Sequence, residues 1–455
     1  MLQGFQNIFK IPDLRKRLLF TIALIAVYRI GAHIPTPGVN ASALIDFFER
    51  QRANVFGLLD LFSGGALSQF SVFALGIVPY ISASIIMQLL AVVIPYLERL
   101  QKEGEIGRKK ITQYTRLGTI GLAAIQAWAL TTLFHNQIEG VIPDFSISFR
   151  IVAVLTLTAG TALVMWLGEQ ITERGIGNGI SLIIFVGIIA RYPSDINRTF
   201  RAVRDGSMSV FSLLIFLAVA VATIAAIIII YQAQRKIPVQ TAKRVRGRRV
   251  YGGGSTHIPL RVNQAGVIPV IFATSIMTFP SLMAQFINVP FMQTFSNFFS
   301  SGPQYSLYAL IPVSLQDVGA FEVLKVFTAF NLVSMILIIF FTYFYTTVTF
   351  NPSDVADNMK KSGGFIPGIR PGKPTAEFID KSLSRITLAG AVFLALIFIL
   401  PTMLNTLLGV PIYFGGTSLL IVVGVALDTM QQVESHLLMR YYEGFIRKGK
   451  LRGRR

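Results

Sequence analysis

The side chains that most often carry out chemistry are sparse in this sequence. Cysteine is absent, which excludes disulfides, thiolate nucleophiles and cysteine metal sites. The histidines are too far apart to form a short metal-binding motif, and no HExxH is present. The sequence therefore predicts neither a metal centre nor a nucleophilic enzyme, and we expect no cofactor. The four histidines are His33, His135, His257 and His436.

Two glycine-containing segments share only part of the pattern of phosphate-binding loops. Residues 175–179, Gly-Ile-Gly-Asn-Gly, lack the GxGxxG spacing, and no strand precedes them. Residues 371–375 read Pro-Gly-Lys-Pro-Thr, with proline after the lysine where a P-loop needs Ser or Thr. We therefore expect no ATPase site, and close helix packing or a tight helix start explains the first set of glycines better.

Long apolar runs indicate that the chain is a membrane protein. Of the 455 residues, 53% are hydrophobic and only 14% are charged. Apolar runs of roughly 17 to 25 residues, enough for a helix to cross about 30 Å of hydrocarbon, recur along the chain. They predict an all-α polytopic membrane protein with ten transmembrane helices, near 18–34, 72–94, 112–134, 150–168, 179–192, 210–232, 265–287, 324–350, 385–404 and 414–433.

The first run follows Lys10 and Arg15–Arg17, as the apolar part of a signal peptide would. The sequence after it is His-Ile-Pro-Thr-Pro at 33–37, which is not a small-residue cleavage site. We expect an uncleaved first span.

The distribution of Lys and Arg predicts the orientation, because basic flanks are retained in the cytoplasm. Ten spans place both termini on one side, and 32 of the 41 Lys and Arg fall there, in the termini and the 2/3, 4/5, 6/7 and 8/9 loops. This asymmetry predicts cytoplasmic termini and explains the net charge of +19 without nucleic acid. Four arginines in the 5/6 loop depart from the pattern: Arg191, Arg198, Arg201 and Arg204.

Residues 57–71 are partly apolar but too short and too polar to cross a bilayer. They predict a re-entrant half-helix, and Gly64-Gly65 suggests backbone that breaks at membrane depth beside a cavity. An amphipathic helix on the membrane surface is the alternative.

Two cytoplasmic loops, about 235–264 and 351–385, are long and basic. Gly247 lies at a possible hairpin turn in the first, and turn residues cluster in the second. Both loops are suited to docking an acidic protein face or the phosphates of ribosomal RNA, although retention in the cytoplasm alone also explains their charge.

The longest of several distinctive sequence blocks is residues 167–181, Leu-Gly-Glu-Gln-Ile-Thr-Glu-Arg-Gly-Ile-Gly-Asn-Gly-Ile-Ser. In order along essentially the whole chain, these blocks resemble motifs of the SecY family of bacterial protein-conducting channels. Blocks of this length are far more specific than one short pattern. The others are residues 63–68, 74–84, 262–269, 351–352, 368–372 and 413–420.

The resemblance implies ten helices in two inverted, pseudo-symmetric halves, 1–205 and 206–455, hinged around the 5/6 loop. Segment 57–71 then corresponds to the plug, which rests in the outer funnel and moves aside when a polypeptide enters. The plug residues implied are Asp60, Ser63, Gly64, Gly65 and Ala66.

The resemblance also implies an apolar pore ring. An apolar constriction offers an ion no ligand and dewets when empty, yet yields around a passing chain. Without the resemblance, these residues would be interpreted as ordinary core or lipid-facing isoleucines. They are Ile77, Ile81, Ile180, Ile184, Ile271 and Ile421.

A lateral gate between spans 2–3 and 7–8 is implied as the route by which apolar segments reach lipid. Gln88, Gln126 and Asn263 match its polar positions, and such amides need partners across the helices. Static packing between helices is the alternative role. Pro79 in span 2 removes a backbone hydrogen bond and is expected to permit bending.

By the same resemblance, the chain is a channel rather than an enzyme, located in the bacterial plasma membrane. The partners implied are the small subunits SecE and SecG, the motor SecA, the translating ribosome, signal sequences with their nascent polypeptides, and the lipid bilayer. The docking residues implied are Lys243, Arg244, Arg248, Arg249 and Arg370.

A secondary transporter is the main rival, because transporters also have inverted repeats and broken helices. Transporters need ionisable coupling residues inside the membrane. Here Arg29 and Asp428 lie towards span ends, so the sequence favours a channel.

Overall fold

The computed structural model describes residues 11–50, 55–138, 140–241, 244–246, 249–251, 255–286, 326–408 and 416–448. Within these ranges the chain is predominantly α-helical. It forms two compact units, one containing residues 11–201, 275–286 and 425–448, the other containing 202–274 and 326–424.

The elements before the first basic loop are all helices. They are α1 (Pro12–Gly31), α2 (Ala41–Arg50), α3 (Val55–Ser63), α4 (Val78–Val93), α5 (Pro95–Lys102), α6 (Glu105–Gln137), α7 (Ile147–Arg174), α8 (Gly179–Ile189), α9 (Tyr192–Arg204) and α10 (Val210–Gln232).

Short strands and further helices follow. They are β1 (Gln234–Thr241), β2 (Arg244–Arg246), β3 (Arg249–Tyr251), β4 (Ser255–Arg261), α11 (Ile268–Phe286), α12 (Ala329–Thr349), α13 (Pro352–Ser362), β5 (Gly364–Phe365), α14 (Lys373–Leu408) and α15 (Gly416–Lys448).

Each of the ten predicted spans coincides with a helix, namely α1, α4, α6, α7, α8, α10, α11, α12, α14 and α15. Among the described residues, six helical segments are long and apolar enough to cross a membrane, or seven if the bent pair α4–α5 is one span. Helix α10 has only 11% of its most apolar window buried, as expected for a helix facing lipid. The prediction of an all-α polytopic membrane protein is confirmed.

The prediction for span 2 is wrong at its start. Residues 72–77 form turns, Gly76 has a φ of +54°, and the helix begins only at Val78. Pro79 therefore lies in the first turn, where its missing N–H removes no helical hydrogen bond, so it does not bend the span. The bend of 99° lies instead between α4 and α5, beside Pro95.

The two basic loops join in one small sheet. Strand β1 pairs antiparallel with β4 along most of its length, and with β5 through Gln240 and Thr241. The sheet covers an apolar cluster of Ile237, Val239, Leu260, Ile366 and Ile379. Most of the second loop is helical, because turn residues are confined to the connection between α13 and α14.

The predicted hairpin within the first loop is present as the antiparallel pair β2–β3, in which Arg246 faces Arg249. Gly247 itself lies outside the described residues.

Candidate functional site

The segment predicted as a re-entrant half-helix is a short helix followed by tight turns. Helix α3 has nine residues, about 14 Å of helix, so it covers less than half of the hydrocarbon. The chain then reverses at Gly64 and Gly65, whose φ values of +68° and +86° favour glycine. The Asp60 carbonyl accepts from the Gly65 N–H at 3.0 Å, and the Asp60 carboxylate accepts from the Ser68 N–H at 2.9 Å.

Several apolar side chains described in this segment are buried. Phe62 is 5% exposed, Leu67 is 3% exposed, and Ala66 and Phe70 are fully buried. Burial at these positions favours a segment packed against protein over a helix lying on the membrane surface. Buried non-helical backbone of this kind is typical of chain that lines a cavity or is covered by protein.

Three side chains from α1 and the end of α8 bind the segment. The Tyr28 hydroxyl donates to the Ser63 carbonyl at 3.0 Å, and the Arg29 guanidinium donates to the Gly64 carbonyl at 2.8 Å. Just beyond the end of α8, the Arg191 guanidinium lies 3.2 Å from the Asp60 carboxylate. These contacts hold α3 and its turn between α1 and α8.

Helix α8 approaches the turn closely, with glycine on both sides of the contact. A Cβ atom added to Gly64 would lie 2.7 Å from the Gly187 Cα, and one added to Gly187 would lie 3.1 Å from the Gly64 Cα. The first separation is too short for a Cβ unless the backbone shifts, and the second is tighter than most Cβ contacts.

Four of the six predicted ring isoleucines belong to the first unit. Ile77 and Ile81 lie at the start of α4 and are 0% and 4% exposed. Ile180 and Ile184 lie in the first turns of α8, where Ile184 is fully buried and Ile180 is partly exposed. Each pair is spaced i, i+4, so its members share one helix face.

The other two isoleucines belong to the second unit, Ile271 in α11 and Ile421 in α15, and they are 4% and 0% exposed. Assembly of the six into one ring stays a prediction.

The glycine-rich block between α7 and α8 places the second isoleucine pair. Asn178 caps α8, its side chain accepting from the N–H groups of Ile180 and Ser181 at 3.1 and 3.2 Å. A Cβ on Gly179 would collide with the Gly168 carbonyl, so α8 packs directly on α7. The interpretation of these glycines as a tight helix start with close packing is confirmed.

The predicted gate amides make local hydrogen bonds. The Gln88 amide donates to the Ser84 hydroxyl one turn earlier at 3.1 Å, and the Asn263 amide donates to the Gly266 carbonyl at 3.1 Å. The carbonyl oxygens of both amides are buried and have no hydrogen-bond partner within the described chain. Gln126 is half-buried in α6. Their role in a gate stays a prediction.

Three of the predicted docking residues are described, two of them in the two-stranded β2–β3 sheet. Arg244 and Arg249 belong to β2 and β3, whereas Lys243 and Arg248 lie outside the described residues. Arg370 is exposed on the turn after β5, where its carbonyl accepts from the Thr375 hydroxyl at 2.8 Å. This bond fixes the turn that presents the Arg370 side chain to solvent.

Comparison with known proteins decides the family. A sequence profile of the SecY family matches residues 71–430. The chain belongs to the SecY family. Its relatives include proteins named protein translocase subunit SecY from Streptomyces scabiei, 50% identical, and from Thermus thermophilus, 47% identical. These alignments cover 98% and 100% of this chain, and all of each relative. The Escherichia coli K12 relative is 46% identical over 97% of this chain and 96% of its own length.

Solved structures share the SecY fold. A protein-conducting channel superposes with a TM-score of 0.63 at 17% identity, over 92% of this chain and 91% of that one. A SecY structure described for its plug domain gives 0.62 at 17% identity, with the same coverage. Sec61 from a canine ribosome–channel complex gives 0.58 at 16% identity, again with the same coverage.

Sequence reasoning predicted a short re-entrant segment at 57–71 but missed the residues that hold it. Tyr28, Arg29 and Gly187 lie on other helices and Arg191 lies just after α8, all far from the segment in sequence. One signal was available, since Arg191 lies on the predicted outer side, against the pattern of basic residues.

Proposed function

We propose that the chain is the pore subunit of a protein translocation channel, which passes unfolded secretory polypeptides across the membrane and has no catalytic role of its own. The observation that carries this proposal is the buried, non-spanning segment 55–71, held by Tyr28, Arg29 and Arg191. A segment bound mainly through its backbone carbonyls and one ion pair is suited to leaving and returning as a unit. Membership of the SecY family supports the same function.

In the resting channel, the plug and the isoleucine ring form two barriers in series. The plug blocks the passage sterically, and the side chains of Ile77, Ile81, Ile180, Ile184, Ile271 and Ile421 form an apolar constriction. Such a constriction expels water and offers no ligand to an ion. When a polypeptide enters, the plug moves aside and isoleucine side chains close around the chain without binding particular residues.

Apolar segments leave sideways through a gate that includes Gln88, Gln126 and Asn263. The buried amide oxygens of Gln88 and Asn263 support this role, because unsatisfied acceptors destabilise the closed arrangement. A signal sequence that binds between the gate helices favours the open state by its higher affinity for that state.

The energy for transport comes from partners. We propose SecE and SecG as small companion subunits, and SecA or the translating ribosome as the source of movement. The motor or the ribosome docks on Lys243, Arg244, Arg248, Arg249 and Arg370. The fold similarity to Sec61 from a ribosome–channel complex supports a ribosome partner. The site of action is the bacterial plasma membrane, with both termini in the cytoplasm.

Reconstitution tests the function directly. The chain and SecE are inserted together into liposomes. SecA, ATP and a presecretory protein are then added to the external solution. We expect the precursor to become protected from protease, and detergent to abolish that protection. Full digestion of the precursor in intact liposomes would contradict the proposal, and uptake of small solutes without precursor would favour a transporter.

A further inference from the structure

Arg191 is a basic residue on the side of the membrane where this chain carries few. Its neighbours in the structure explain its presence. The side chain is 14% exposed and lies against Asp60, whose side chain is 5% exposed, so both charges are largely withdrawn from solvent. Two charges buried together are stable only as a pair, since either one alone would be left without compensation.

The Arg191 guanidinium contacts α3 at two points one turn apart. Its Nη1 lies 3.2 Å from the Asp60 carboxylate and 3.4 Å from the Gly57 carbonyl, to which it donates a hydrogen bond. One side chain beyond the end of α8 therefore contacts both the carboxylate and the backbone of the short helix.

The Asp60 carboxylate has a second partner inside the plug. One oxygen accepts from the Ser68 N–H at 2.9 Å, and the other faces Arg191. If the segment moves as a unit, the bond to Ser68 moves with it, and the ion pair with Arg191 breaks. Asp60–Arg191 is thus the one ion pair described between this segment and its surroundings.

We propose that Asp60 and Arg191 form an electrostatic latch that sets how readily the plug leaves its closed position. This inference rests on the proposed function. The other two contacts, from Tyr28 and Arg29, bind backbone carbonyls and do not depend on the plug's side chains. Arg191 is accordingly a positioning residue, and it acts through Asp60.

An ion pair suits a reversible latch for a physical reason. In the closed state the two charges neutralise each other, and when the plug enters the water-filled passage both charges regain hydration. With one partner removed, the remaining charge is buried alone in the closed state and is hydrated only on opening. One-charge variants should therefore favour the open state, whereas a variant lacking both charges should be less perturbed.

A double-mutant cycle tests the latch in the reconstituted complex. The variants are Asp60→Asn, Arg191→Gln and the two combined. The readouts are ion conductance without precursor and translocation of a precursor whose signal sequence has been shortened. We expect each single variant to raise both by about tenfold, which corresponds to ~1.4 kcal/mol. The double variant should exceed the wild type, but by less than either single variant, since it leaves no uncompensated charge buried.

Two further variants separate the latch from general damage. Glu98→Gln removes an exposed ion pair with Lys102 and should leave both readouts at the wild-type level. Arg191→Lys keeps the cation and should retain most of the dependence on an intact signal sequence. If Arg191→Lys behaves like Arg191→Gln, an electrostatic latch is ruled out.

The remaining outcomes distinguish the latch from the function. If the unsubstituted chain fails to translocate an intact precursor, the proposed function is wrong. If it succeeds while all three latch variants match it in conductance and signal dependence, the function stands and the latch is wrong. If the single variants do not assemble, the double variant decides: raised conductance supports the latch, and wild-type conductance overturns it.

Discussion

Gly187 of α8 lies directly against Gly64 of the plug turn, with no side chain between the two backbones. A Cβ on Gly64 would come within 2.7 Å of the Gly187 Cα. The φ of +68° at Gly64 also disfavours any other residue there. The position of this turn thus depends on a close backbone contact, and Gly64 in particular cannot carry a Cβ without a shift of the backbone.

Enlarging Gly187 should displace the plug. A Cβ there would lie 3.1 Å from the Gly64 Cα and 3.2 Å from its nitrogen, so Gly187→Ala should loosen the contact and Gly187→Leu should prevent it. We expect resting ion conductance in planar bilayers to rise in the order glycine, alanine, leucine. Gly121→Leu is the matched control, because a Cβ at Gly121 meets nothing within 4 Å. Equal conductance of Gly187→Leu and Gly121→Leu would refute the prediction.

The isoleucine seal can be tested at two buried positions on different helices. Replacing Ile81 and Ile184 with serine should raise ion conductance in the absence of precursor, because hydroxyl groups support water and offer ligands to ions. Bilayer recordings provide the measurement. Ile86→Ser on the same helix as Ile81 serves as the control, since Ile86 is 47% exposed and faces away from the core. Unchanged conductance in the double serine variant would count against the ring.

Gln88 should destabilise the closed channel through its unpaired oxygen. The Oε1 atom is buried and lacks a donor within the described residues, which costs about 1–3 kcal/mol. Gln88→Leu should therefore raise the thermal unfolding midpoint of the purified complex and slow translocation. Gln126→Leu, at a half-buried position, should change the midpoint less. A lower midpoint in Gln88→Leu would show that the amide stabilises the closed state instead.

Arg370 should matter for coupling to a partner and not for folding. Its side chain is exposed, so Arg370→Glu should leave the unfolding midpoint unchanged. Translocation driven by SecA or the ribosome should fall, and more steeply at low salt, where surface charges are least screened. Arg108→Glu, which reverses an exposed charge at the start of α6 outside both basic loops, is the control. Normal translocation with Arg370→Glu would remove this residue from the docking surface.

Hydropathy and helix signals in the sequence predicted most of the architecture. Each apolar run coincides with a helix among the described residues, because a bilayer requires every spanning backbone to satisfy its own hydrogen bonds. The glycine-rich block before α8 was also interpreted correctly, since Asn178 and the glycines act over a few residues. Signals of this kind depend only on residues close together in the chain, so a single sequence contains them.

Local sequence signals gave incomplete predictions where contacts with a distant part of the chain determine the structure. The apolar run near 72–94 predicted one continuous span, but its first residues form turns beside α3. There, a Cβ added to Gly76 would lie 3.3 Å from the Ser63 Cα. The sequence predicts two separate basic loops. It does not show that β1 of the first pairs with β5 of the second, because these strands are far apart in the chain.

By itself, the sequence determined that this chain is a helical membrane protein with a short broken segment before span 2, because length, apolarity and glycine act locally. Only the tertiary structure decided what holds that segment. The pairing of Asp60 with Arg191 and the contact of Gly64 with Gly187 arise when α8 packs beside α3. Side chains this distant in sequence meet only because helix packing brings them together, and no periodicity in the sequence records which helices will be neighbours.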